Sequence, residues 1–141
     1  MMKSARTYLN VFEDGADLEW QEVEGTNGLV SFTILTEDSY TGVFTCLTRF
    51  KAGANTAAHG TSVHDYWEKT IVLSGSLYDE GQKVWLNAED YVCRPPGEIH
   101  GPFITIGECL VICVVLVGVK TSIKNNVEQS EGNKNDQCKT I

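Results

Sequence analysis

From Gly28 to Val117 the chain carries short apolar and β-branched runs, each closed by turn residues, and no stretch with helical spacing. GVFTCLTRF, from Gly42 to Phe50, shows the pattern best. Val43, Thr45, Leu47 and Arg49 share one face of a strand there, and Phe44, Cys46, Thr48 and Phe50 share the other. Further strands are predicted over Gly28 to Leu35, Thr70 to Leu73, Ser76 to Tyr78, Lys83 to Leu86, Tyr91 to Arg94, Phe103 to Ile106 and Cys109 to Val117. Val11-Phe12 is a candidate edge strand, with Phe12 and Trp20 as anchors for an otherwise polar N-terminus. Such a succession predicts an all-β sandwich or barrel.

Chemistry concentrates in one stretch, Gly53 to Gly75, GANTAAHGTSVHDYWEKTIVLSG. It holds His59, His64 and Glu68, and the last of the three histidines, His100, follows the Pro95-Pro96-Gly97 turn. Imidazole and carboxylate suit a borderline or hard divalent ion. On one continuous strand His64 and Glu68 would stand roughly 13 Å apart. The chain is therefore expected to bend near Asp65 to Trp67, with the two side chains coming from neighbouring strands. His59 can face the same ion only if the Gly60-Thr61-Ser62 loop bulges. Pro95-Pro96-Gly97 predicts a tight turn that aims His100, because proline fixes φ and glycine permits positive φ.

Gly53-x5-His59, His64-x3-Glu68-x6-Gly75 and Pro95-x-Gly97-x2-His100 resemble the two motifs of the cupin superfamily, G-x5-H-x-H-x3–4-E-x6-G and G-x5-P-x-G-x2-H-x3-N. The runs from Gly75 to Glu80 and from Arg94 to Phe103 are most similar to the branch with ChrR-type cupin domains and the acetylacetone and dihydroxyacetophenone dioxygenases. The resemblance covers about residues 27–118. It implies a double-stranded β-helix, the cupin jelly-roll barrel, with a metal in its mouth held by His64, Glu68 and His100, and His59 as fourth ligand. Residues 1–26 would be an N-terminal extension and 119–141 a disordered polar tail. The chain departs from the pattern in four places. Counted back from Glu68, Ser62 stands where the first histidine belongs, while His59 takes that place counted forward from Gly53, with three extra residues before His64. Glu89 and Ile104 replace the glycine and the asparagine of the second motif.

The resemblance further implies a metal-dependent dioxygenase that cleaves a C–C bond in a small β-diketone or hydroxyaryl ketone. Fe2+ is the favoured ion, with Zn2+, Mn2+ and Ni2+ open. A non-redox decarboxylase, cyclase or isomerase, and a metal-binding sensor without turnover, are the rival readings. Glu68, Tyr66 and Arg49 are the candidate catalytic side chains, Arg49 as a bidentate partner for a substrate carboxylate or phenolate. Arg94 and Glu98 are weighed as surface residues, and Tyr78, Asp79 and Glu80 as a hairpin end facing water.

Nineteen acidic against eleven basic residues, net charge −8, argue against nucleic acid or an anionic membrane as partner. Cys109 to Val119 is too short to span a bilayer. The first residues show no apolar leader segment, so a cytoplasmic protein is expected; a small-molecule substrate and a homodimer are expected as well. The five cysteines read mainly as small core residues, with Cys93 able to line a pocket.

Overall fold

A computed structural model describes residues 8–117, so residues 1–7 of the extension and the tail assigned to 119–141 lie outside the described residues. Among these residues the protein is built from antiparallel strands, with only two three-residue 3-10 turns, Gly15–Asp17 and Ala57–His59. The strands are β1 (Gln21–Glu22), β2 (Val30–Glu37), β3 (Phe44–Phe50), β4 (Ser62–Val63), β5 (Glu68–Ser74), β6 (Ser76–Asp79), β7 (Val84–Asn87), β8 (Tyr91–Arg94), β9 (Ile99–His100), β10 (Phe103–Ile104) and β11 (Cys109–Val115). No helix among them is long and apolar enough to cross a membrane.

A six-stranded sheet runs β1-β2-β3-β11-β5-β8 and a three-stranded sheet runs β10-β6-β7; β4 and β9 form a separate pair. Alternation decides which residues enter the space between the walls. Cys109, Val111, Cys113 and Val115 from β11 meet Cys46 and Phe50 from β3, Val72 from β5, Leu77 from β6 and Leu86 from β7. Each such valine, leucine or phenylalanine side chain taken out of water contributes about 1.5–3 kcal/mol. The predicted faces of β3 hold: Cys46 and Phe50 point into the barrel, and Leu47 and Arg49 point away from it. The motif glycine Gly75 joins β5 to β6 at φ +75°, where an added Cβ would lie 1.9 Å from the Glu108 carbonyl oxygen. Both the backbone angle and the space demand glycine there.

Two expectations change at the N-terminal flank. Val11-Phe12 forms no strand, and Phe12 is exposed; the edge strand is Gln21–Glu22, which pairs with β2. Trp20 does anchor this flank. Its indole N–H donates to the Gly15 carbonyl at 2.7 Å, and its ring receives the Arg49 guanidinium at 4.2 Å.

Candidate metal centre

The chain bends after His64, as expected, but β4 does not neighbour β5. It pairs with β9, in the register Ser62↔His100 and Val63↔Ile99. Glu68 opens β5, in the other wall, opposite Arg94 of β8. The Pro95-Pro96-Gly97 turn, with Gly97 at φ +88°, carries the chain from β8 to β9 and so delivers His100. A donor atom from each of His64, Glu68 and His100 lies within 4.8 Å of the other two. The His64 Nε2 to Glu68 Oε2 distance is 3.5 Å, and the two imidazole centroids are 4.7 Å apart. Ligands of one ion at about 2.0–2.2 Å stand roughly 3–4 Å from each other, so this set fits a divalent ion after small side-chain adjustment.

Hydrogen bonds orient two of the three donors. Glu68 Oε1 accepts from Arg94 Nη1 at 3.2 Å and from the Thr70 hydroxyl at 3.3 Å, leaving Oε2 on the His64 side. His100 Nδ1 lies 3.3 Å from the Glu98 carbonyl. With the Nδ1 proton donated there, Nε2 carries the lone pair. Burial, and then the positive charge of Arg94, hold the His100 imidazole below its ordinary 6.5, which keeps it neutral and able to ligate. Tyr66 stacks on His64 at 4.5 Å with 11° between the planes. Burial first, then the charges of Glu68 and Asp65, raise its phenol above the usual 10, so it stays a proton donor.

Arg94 and Asp79 are the residues that sequence reasoning placed at the surface. Both are almost fully buried, with side chains 5% and 2% exposed. Arg94 Nη2 lies 3.7 Å from Asp79 Oδ2 while Nη1 holds Glu68 and Thr70. Asp79 Oδ1 accepts the backbone N–H groups of Gly81, Gln82 and Gly101. The buried trio therefore sums to one negative charge beside two imidazoles, which favours a cation.

The other expected site residues lie elsewhere. His59 ends a 3-10 turn, exposed, with Nε2 against the Glu24 carbonyl, and does not join the cluster. The loop before His64 turns His59 away and leaves Ser62 opposite His100, where paired residues on one face are neighbours. Arg49 lies on the outer face against Trp20. Glu98 and Cys93 line a cleft of about 720 Å³ between β7 and the proline turn, which reaches Asp79 and Arg94 but none of the three donors.

The chain matches the ChrR cupin-like domain family over residues 10–118 and belongs to it. No curated protein matches. Among solved structures it is similar to an RmlC-like cupin from Shewanella frigidimarina, at 16% identity over 82% of this chain and 93% of that one, with a TM-score of 0.63. It is similar to an acetylacetone dioxygenase from Acinetobacter johnsonii, at 17% identity over 81% and 76%, TM-score 0.62. It is also similar to the polyketide cyclase RemF from Streptomyces resistomycificus, at 18% identity over 82% and 79%, TM-score 0.58. The protein is thus an all-β cupin with a jelly-roll fold. Its His64–Glu68–His100 cluster is a possible site for a divalent metal.

Proposed function

We propose that this cupin is a metal-dependent dioxygenase that cleaves a C–C bond in a small β-diketone or hydroxyaryl ketone. The observation that carries the reading is the convergence of His64, Glu68 and His100, with Glu68 held by Arg94 and Thr70 so that one carboxylate oxygen is left for an ion. The likeness to an acetylacetone dioxygenase supports it. An Fe2+ ion bound there would polarise the adjacent oxygens of such a ketone and supply electrons to dioxygen.

The chain's own residues have three tasks. His64, Glu68 and His100 would hold the ion, with Ser62 or a water rather than His59 nearest to them. Tyr66, protonated beside His64, donates a hydrogen bond to the developing enolate oxygen of the substrate. Phe103, whose ring packs near both His100 and Phe50, keeps bulk water from the inner side. We place the protein in the cytoplasm as a homodimer.

A non-redox decarboxylase, cyclase or isomerase is the second reading, favoured by the likeness to a polyketide cyclase. The same cationic centre would stabilise an enolate without oxygen. Elemental analysis of protein purified without a metal-affinity tag, followed by turnover under air and under anaerobic conditions with each metal, separates the two. Oxygen uptake with a β-diketone or hydroxyacetophenone by the iron form, and none by the zinc form, is expected. Full anaerobic activity with zinc and no uptake with iron would replace the first reading by the second. The absence of turnover with any metal would leave a non-catalytic metal sensor.

A further inference from the structure

Two thiols face each other on the inner wall, and the proposed function makes no use of them. Cys46 of β3 and Cys113 of β11 are direct partners across the antiparallel pair. Both carry free thiols and both point into the barrel. Cys113 is also the β11 partner of Thr70, whose hydroxyl lies 3.2 Å from its sulfur. Cys46, Cys113 and Thr70 therefore form one row across three strands, two residues along β5 from Glu68. Residues directly opposite in an antiparallel pair have Cα atoms about 4.5 or 5.5 Å apart. Both spacings fall within the roughly 4.4–6.8 Å that a disulfide spans.

We propose that Cys46 and Cys113 are a peroxide-oxidisable dithiol that closes to a disulfide between β3 and β11, in the row adjoining Glu68. Cys113 sulfur is engaged by the Thr70 hydroxyl at 3.2 Å, which leaves Cys46 as the attacking sulfur. Cys46 sulfur attacks one oxygen of hydrogen peroxide, the O–O bond breaks, and the thiol proton leaves with the departing oxygen as water. Cys113 sulfur then displaces the hydroxyl of the Cys46 sulfenic acid, the S–S bond forms, and a second water carries away the Cys113 proton. Two thiols lose two electrons and one peroxide gains them.

The other cysteines are poorly placed to compete. Cys109 is on the same face of β11 but opposite Phe50 on β3, and roughly 13 Å along the strand from Cys113. Cys93 pairs with Lys69, on the opposite face of β8 from Arg94. Cys138 lies outside the described residues.

The test uses the full reduced chain, treated with chelator and then with a modest molar excess of hydrogen peroxide. The sample is quenched by alkylation in denaturant and mapped by mass spectrometry. The expected result is an intact mass that carries two alkyl groups fewer than the untreated control, and a Cys46 peptide joined to a Cys113 peptide, released by dithiothreitol, with Cys93 and Cys109 alkylated. A Cys113→Ser variant should instead leave Cys46 as a sulfenic acid that a dimedone probe captures. Full alkylation of both sulfurs after treatment would overturn the proposal. So would over-oxidation of either without a bridge, or a bridge from either to another cysteine.

Discussion

Arg49 and Arg94 sit in similar sequence surroundings, each near the end of a strand and followed within one or two residues by a turn, yet they do opposite work. Arg94 points into the barrel, is almost fully buried, and joins Glu68, Thr70 and Asp79. Arg49 points out of it and sits over the Trp20 ring, which fixes the N-terminal flank to β3. One serves the candidate metal centre and the other serves the outer wall. The difference comes from strand parity and register, not from local composition. Arg94 is opposite Glu68 across β8 and β5, so both enter the same space. Arg49 is opposite Ser31 and Leu110, on the faces turned away from the core.

The sharpest way to break the contrast is to remove both arginines in turn. Arg94→Met should cost about 3–5 kcal/mol, because it leaves two buried carboxylates without their counter-charge. Urea unfolding of the metal-free chain measures this. A loss below about 1 kcal/mol, the range of an exposed ion pair, would mean that Arg94 is not the partner of Asp79 and Glu68 in solution. Arg94→Met should also weaken divalent-metal binding about 10–100-fold, the usual effect of losing a residue that orients a ligand. Arg49→Met should leave metal affinity unchanged and lower stability by only about 0.5–2 kcal/mol, the range of a cation–π contact.

The strands were legible because period-two alternation and turn residues are local. The predicted strands from Gly28 to Val117 all have counterparts, with ends shifted by a few residues. The three converging donors were legible because motif spacing places them. Arg94 and Asp79 were not, since their burial depends on a cross-sheet register that no local pattern encodes. Asp79 looked like a hairpin end, but its carboxylate folds back onto the N–H groups of Gly81, Gln82 and Gly101. Arg49, a candidate substrate partner by sequence, lies on the outer face against Trp20, and a related reason hid this. Both faces of β3 carry apolar residues, Leu47 on one and Cys46 and Phe50 on the other, so alternation alone could not say which face is inside. The Cys46–Cys113 pair was hidden by the same long sequence separation.

His100→Ala should abolish stoichiometric metal binding, measured by calorimetry and elemental analysis, because it removes one of three converging donors. Retention of one ion per chain would place the metal elsewhere. The histidine also gives the metal-free protein a pH dependence. Its folded pKa lies below the ordinary 6.5, so the unfolded chain binds the extra proton first as pH falls. The contribution of the neutral imidazole is complete above 6.5 and is lost as pH drops from there through the folded value. The thermal midpoint should therefore fall on acidification below 6.5, and His100→Gln should flatten that part of the curve. An unchanged slope would assign the effect to other groups.

The smallest expected effect is the one that settles the fourth side of the site. His59→Ala removes one exposed imidazole bonded to the Glu24 carbonyl, and that contact is worth about 0.5–1.5 kcal/mol at most. Metal affinity should not change, because the ring is held by the N-terminal flank and not by the cluster. Ser62→Ala should change affinity only slightly, since a hydroxyl is a weak ligand that water can replace. Ser62→His is the informative partner of these two. Ser62 is opposite His100 in the β4–β9 register, so an imidazole placed there lands beside the existing donors and should tighten metal binding. If His59→Ala weakened binding instead, and Ser62→His did nothing, the Gly60–Val63 segment would have to rearrange around the ion. The outer flank, which holds His59 as it holds Arg49, would then have to release a residue to the site, and the division between the two faces of the barrel would not survive metal binding.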